Sequence, residues 1–173
     1  MKNNPKIIVI TGAESTGKSK LTKQLAEYFN VPFVPEIARH YIEHLNRNYV
    51  YSDIEAIANK QIEMYNKFCD YDAQFIFMDT WLIVTKIWFE FVFQKKPGWL
   101  VPELLKHKIE LFLVCDTDLP WIVDPVRENG GKNRDILQNL YIDNLDKYGF
   151  KYKIVSGLDK DRFINAKRFI EDF

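Results

Sequence analysis

A chain of 173 residues is long enough for one domain with a substantial core. Hydrophobic residues make up 47% and charged residues 28%, an ordinary globular composition, and 24 basic side chains cancel 24 acidic ones. That balance argues against nucleic acid as a partner, because a duplex-binding protein carries a basic excess.

Lys6 to Thr11 is short, β-branched and apolar on both faces, which predicts a buried strand. The run Ile7 to Ile10 inside it is too short for the apolar core of a leader. A helix is predicted from about Gly17 to Phe29, with Leu21, Leu25 and Phe29 along one face. Val31 to Val34 reads as a second strand, closed by Pro35. Helices follow near 36–45 and 52–68, the latter opened by Ser52 and Glu55 at capping-box spacing. Gln74 to Met78 predicts a third buried strand that ends on Asp79. Trp81 to Phe93 predicts an aromatic-rich helix, too short and too interrupted by Lys86 and Glu90 to span a bilayer. Pro97 and Gly98 break it. Leu111 to Cys115 is the fourth strand, ending at Asp116. Asp118 to Glu128 reads as a helix or lid arm, with a mobile tip at Asn129, Gly130 and Gly131. Arg134 to Tyr148 reads as a helix stopped by Gly149, Lys153 to Val155 as the fifth strand, and Asp159 to Phe173 as the last helix.

Between the first strand and the first helix lie Gly12, Ala13, Glu14, Ser15, Thr16, Gly17, Lys18 and Ser19, a full match to the P-loop pattern in the context its mechanism needs. Gly12 and Gly17 let the backbone curl so that successive N–H groups face phosphates, and the helix N-terminus adds partial positive charge. Lys18 is placed to reach the β- and γ-phosphates, and the Ser19 hydroxyl to ligate Mg²⁺. The expected ligand is ATP with Mg²⁺. Strands alternating with helices then predict an α/β fold: a single domain over residues 1–173 with the three layers of a P-loop NTPase. It has a five-stranded parallel sheet, helices on both faces, and a helical lid over about 118–135.

Four further features bear on chemistry. Asp79 closes an apolar strand and fits a carboxylate that holds Mg²⁺ or acts as base, and it also suits a helix cap. Glu36 follows the second strand, where a carboxylate can take the proton of an acceptor hydroxyl, or stabilise a helix start as a first-turn acid. Arg39 nearby pairs with it or binds phosphate. Arg127 and Arg134 flank the glycine tip and supply the mobile charge that small kinases close over the phosphoryl group, unless they are simply solvated. Tyr41, Trp81, Trp88, Trp99 and Trp121 offer stacking surfaces for a base or cationic ring, or else serve the core. Cys69 and Cys115 match no metal spacing and read as buried thiols of a reducing cytosol. The expected location is cytoplasmic, with no membrane partner.

The P-loop filling, Pro35-Glu36-Ile37-Ala38-Arg39-His40-Tyr41, Asp79-Thr80, and Pro120-Trp121 with Asp124 and Arg127 occur in this order. Together they resemble the ribosylnicotinamide kinase domain of NadR-type proteins, an AAA-type P-loop kinase family, over nearly the whole chain. The resemblance implies ATP- and Mg²⁺-dependent phosphorylation of the 5′-hydroxyl of nicotinamide riboside. It carries Lys18 and Ser19 to the phosphates and metal, Glu36 to the acceptor hydroxyl and Asp79 to the metal or base role. Arg127 and Arg134 become lid arginines, with Trp121 and Asp124 in the same lid motif. Arg39, Tyr41 and Trp88 complete the expected substrate contacts. Two positions depart from the family. Pro35 stands where a Trp expected to stack on the nicotinamide usually precedes the Glu, and Trp81 stands where an acid usually follows Asp-Thr. Trp81 or Trp88 is then the candidate replacement. The nucleotidyltransferase and DNA-binding domains of full-length NadR proteins have no counterpart in 173 residues. The alternatives are a kinase for another nucleoside-like or coenzyme-precursor acceptor, and a nucleotide-binding regulator or slow ATPase.

Overall fold

The computed structural model describes residues 4–173. Met1 to Asn3, where the segment read as lacking a leader begins, lie outside the described residues. The five strands are β1 (Lys6–Thr11), β2 (Phe33–Val34), β3 (Phe75–Asp79), β4 (Leu111–Cys115) and β5 (Tyr152–Val155). They form one sheet in the order β2-β3-β1-β4-β5, and every pairing is parallel. The helices are α1 (Lys18–Phe29), α2 (Ile37–Glu43), α3 (Tyr51–Phe68), α4 (Leu82–Phe93), α5 (Leu100–Lys106), α6 (Lys132–Lys147) and α7 (Asp159–Glu171). This is the three-layer P-loop NTPase architecture.

Strand alternation builds the layers. Ile7, Val9, Ile76, Met78, Phe112 and Val114 face one core, which α3, α4 and α5 cover through Ile54, Ile57, Leu82, Phe89 and Leu104. Ile8, Ile10, Phe75, Phe77, Leu111 and Leu113 face the other, covered by Leu21 and Leu25 of α1 and by Ala166 and Ile170 of α7. Strands buried on both faces must be apolar throughout, which explains the unbroken runs in the sequence. β1 is central, with β3 on one side and β4 on the other. The crevice at its carboxyl end is the switch point where ligands bind in such sheets.

Four local expectations change. β2 starts only at Phe33, because the Val31 N–H closes α1 by donating to the Ala26 carbonyl (3.0 Å) while Asn30 takes a left-handed φ of 51°. α3 begins one residue early, and its reach-back cap comes from Asp53, not Glu55: the Asp53 carboxylate accepts the Val50 N–H at 2.7 Å. α5 had no predicted counterpart; its Pro102 sits in the first turn, where a missing N–H costs nothing. Residues 118–131 form turns and irregular chain rather than a helix, and helix starts only at Lys132, after Gly131 at φ 59°. Pro120 and Pro125 divide that stretch into pieces too short to nucleate a helix. Among the described residues no helix is long and apolar enough to cross a membrane.

Candidate active site

The carboxyl ends of β1, β3 and β4 set the phosphate loop in place. Gly12, at φ 131°, passes so close to β4 that an added Cβ would lie 2.6 Å from the Cys115 carbonyl oxygen. No other residue fits there. Beyond it the loop is braced by side chains from outside the motif. Gln138 of α6 accepts the Ala13 N–H with Oε1 (2.9 Å) and donates through Nε2 to the Cys115 carbonyl (2.9 Å). Lys18 Nζ and the Thr16 hydroxyl both donate to the Ala13 carbonyl at 2.8 Å. A Gln138→Ala variant leaves the buried Ala13 N–H and Cys115 carbonyl without these partners. We expect it to destabilise the fold by about 2–4 kcal/mol, read as a lower denaturant midpoint at unchanged slope.

The lid is laced to the same loop. Arg134 is buried and directs three donors at main-chain oxygens: Nε to Glu14 (3.1 Å), Nη2 to Ser15 (2.8 Å) and Nη1 to Leu119 (2.7 Å). This corrects the expectation of a mobile lid arginine: its guanidinium is committed to the scaffold, and desolvation lowers its pKa. The Ser15 hydroxyl donates to the Pro120 carbonyl (3.3 Å) and accepts the Ile122 N–H (2.9 Å). The Glu14 carboxylate accepts the N–H groups of Glu128 (3.1 Å) and Asn129 (2.9 Å). On the opposite side, Arg39 pairs with Asp124 (2.6 Å), and the Tyr49 hydroxyl donates to Glu128 (2.9 Å).

Between these parts opens a cavity of about 430 Å³, a size suited to a small ligand. Gly12, Glu14, Ser15, Thr16, Gly17, Lys18 and Ser19 line one end. Glu36 and Arg39 line another part, and Val126, Arg127, Glu128 and Asn129 form the lid side. One stripe of α4 (Val84, Ile87, Trp88, Phe91 and Val92) with Tyr49 against it forms part of the remaining wall, and Ala38, Ile42, Leu137 and Tyr141 add to it. Trp88 and Tyr49 meet edge to face, with ring centroids 5.0 Å apart. The 84-87-88-91-92 spacing is a helical face, and it was the readable signal for this wall. Arg47, Asn48 and Tyr49, from the loop between α2 and α3, had no such signal.

Several expected contacts lie outside the cavity lining. The Tyr41 hydroxyl donates to Asp53 (3.1 Å), which Arg47 also grips at 2.7 and 2.9 Å and which those partners hold well below the usual carboxylate range. Trp121 packs over Gly130, and Asp124 is taken by Arg39. Trp81 is wholly buried in a core cluster with Tyr65 and His107, so it does not replace the missing stacking residue. Of the two thiols, Cys115 is buried and Cys69 half-buried.

Asp79 lies beneath the cavity, 3% exposed, with Oδ1 lacking any hydrogen-bond partner. Burial first, then the charge of Glu36, pushes its pKa up to about 6, while the Ser19 hydroxyl and Lys18 oppose the shift. A buried carboxylate with one orphaned oxygen, close enough to the Ser19 hydroxyl to be stabilised by it, is a donor set suited to a hard divalent cation that takes its other ligands from phosphates and water. Among the described residues there is no cluster of three or more His, Cys, Asp or Glu, so an all-protein metal cage is not what the residues offer.

A phosphate loop at the switch point of a parallel sheet, braced beneath a lid, defines a P-loop nucleotide-binding fold. Residues 7–162 match the AAA domain family, and the chain belongs to it. It is also 25% identical over 171 residues to the trifunctional NAD biosynthesis/regulator protein NadR of Escherichia coli strain K12, and equally to that of Salmonella typhimurium strain LT2. Each alignment covers 95% of this chain and 42% of the relative, so the chain spans less than half the length of these relatives. The crystal structure of NadR protein in complex with NR superposes with a TM-score of 0.79 at 21% identity, covering 98% of this chain and 51% of that one. A NadR structure in complex with NAD and AMP-PNP gives 0.79 at 22% identity and the same 98% coverage, over 49% of that chain. Thymidylate kinase from Ehrlichia chaffeensis gives 0.69 at 12%, over 98% of this chain and 99% of that one.

Proposed function

We propose that the chain is an ATP- and Mg²⁺-dependent kinase that phosphorylates the 5′-hydroxyl of nicotinamide riboside, giving nicotinamide mononucleotide. The observation that carries this reading is the two-part cavity. A phosphate loop with Lys18 forms one end, and the rest is lined by an aromatic pair, Trp88 and Tyr49, together with Glu36. The likeness to NadR supports it.

The chemistry is mostly positioning and charge. Loop N–H groups and Lys18 hold the triphosphate, and Lys18 trades the Ala13 carbonyl for phosphate oxygens. Mg²⁺, when bound, neutralises charge on the β- and γ-phosphates, and Ser19 and Asp79 are the residues that would hold it. Glu36 lines the cavity and serves as the carboxylate that orients the acceptor hydroxyl and takes its proton. Arg127 balances charge from the lid side. A cationic pyridinium suits an aromatic face with carboxylates nearby. Substrate and product stay clear of nucleic acid and membrane in this scheme, and a cytoplasmic site of action follows.

Pro35 favours a second reading, a kinase for a different nucleoside-like acceptor, because Pro35 is exposed and offers no stacking surface. A coupled assay for ADP release over a nucleoside panel separates the two. Nicotinamide riboside should give the highest kcat/KM, and a Trp88→Ala variant should raise its KM roughly 10- to 30-fold while the KM for ATP stays nearly constant. Preference for a neutral nucleoside would favour the second reading. No acceptor-dependent ADP release from any member would discard both.

A further inference from the structure

An acid inside a phosphate-binding loop is out of place electrostatically, since a carboxylate turned toward a triphosphate repels it. Glu14 is such an acid, and its contacts give it other work. One carboxylate oxygen, Oε2, accepts the main-chain N–H groups of Glu128 (3.1 Å) and Asn129 (2.9 Å), and Oε1 accepts from the Asn129 side-chain amide (3.3 Å). Both oxygens are therefore spent on the lid.

The lid depends on such ties. Residues 118–131 contain no helix, and Ile122 and Val123 at its centre are 63% and 87% exposed, so apolar burial contributes little there. Ser15 and Arg134 fasten its first part, residues 119–122. Glu14 fastens the last part, next to Arg127, whose own guanidinium donates to the Ile122 carbonyl (2.8 Å) and lines the cavity. We propose that Glu14 is a positioning residue rather than a phosphate ligand: its carboxylate pins the lid tip to the phosphate loop and so holds Arg127 against the cavity. The proposal rests on the kinase reading for the role of Arg127, and on geometry alone for the pinning.

The test uses Glu14→Ala, which removes both acceptor oxygens, and Glu14→Gln, which keeps one amide oxygen where Oε2 lies. Amide hydrogen exchange is measured by NMR on the ligand-free full chain, and single-turnover phosphoryl transfer and Mg·AMP-PNP affinity on the same samples. In Glu14→Ala, exchange at Glu128 and Asn129 should accelerate at least about tenfold with the sheet amides unchanged. Transfer should slow by about tenfold or more while AMP-PNP affinity holds within a few-fold, and Glu14→Gln should recover most of both. Unchanged exchange at those two amides overturns the proposal. So does equal loss of transfer in both variants, which would make the negative charge itself the working element. If the unsubstituted chain transfers to no acceptor, the kinase reading fails, while the exchange data still decide the pinning.

Discussion

A Lys18→Ala variant is expected to lose phosphoryl transfer by at least about 10²-fold while keeping its fold. The size follows from what the ammonium does. It is the one cation of the phosphate loop itself, placed where charge grows on the transferring group, and in such a site no water molecule replaces it at equal energy. The fold is spared because the side chain is only half-buried and its one hydrogen bond is to the Ala13 carbonyl, which keeps the Thr16 hydroxyl as a partner. Thermal unfolding should therefore be nearly unchanged. Retained turnover would remove the loop from the chemistry.

An Asp79→Asn variant is expected to be inactive and yet more stable than the parent chain at pH 8. Burial raises the Asp79 pKa from 3.8 to about 6. The folded chain then holds a proton that the unfolded chain has released anywhere between those two values. Stability consequently falls as the pH climbs from about 4 to 6, and the loss is complete above 6. At neutral pH and above the buried anion therefore costs the fold stability. Asparagine carries no charge to desolvate, so the variant lacks this component: its stability relative to the parent should rise across this window and exceed it at pH 8. The two curves should converge near pH 4. Parallel curves would mean that Asp79 is not a desolvated anion. Activity measured alongside separates function from stability: a group that costs stability in a buried site is retained for what it binds.

The two expectations also show how unevenly the sequence announces its parts. The phosphate loop and the five strands were legible because each is written locally: Ile7 to Ile10 must be apolar to lie between two layers, and Gly12 must be glycine to pass Cys115. The braces were not. Gln138 and Arg134 stand more than a hundred residues from the loop carbonyls and amides they serve, and nothing in a helical segment of mixed polarity marks which side chain will turn inward. Arg134 in particular carries the residue type of a lid cation and the geometry of a scaffold strut. The aromatic reading failed at Trp81 for a related reason. Position 81, two residues past the strand end, falls into the core beneath the sheet, whereas Trp88, two turns along α4, lines the opening. A count of tryptophans could not distinguish them, and the period of α4 could.

That helix has one more consequence. Leu82, Ile83 and Phe89 are locked into the core, while Val84, Trp88, Phe91 and Val92 border open space. If the proposed acceptor site is right, much of its wall can be varied at these positions of a single helix, with Phe91 and Val92, the most exposed of the four, least tied to the core. On the kinase reading, donor and acceptor preferences would then vary as partly separate traits, and a search for a new acceptor has a compact library to start from: those four sites, with Tyr49 as the fifth.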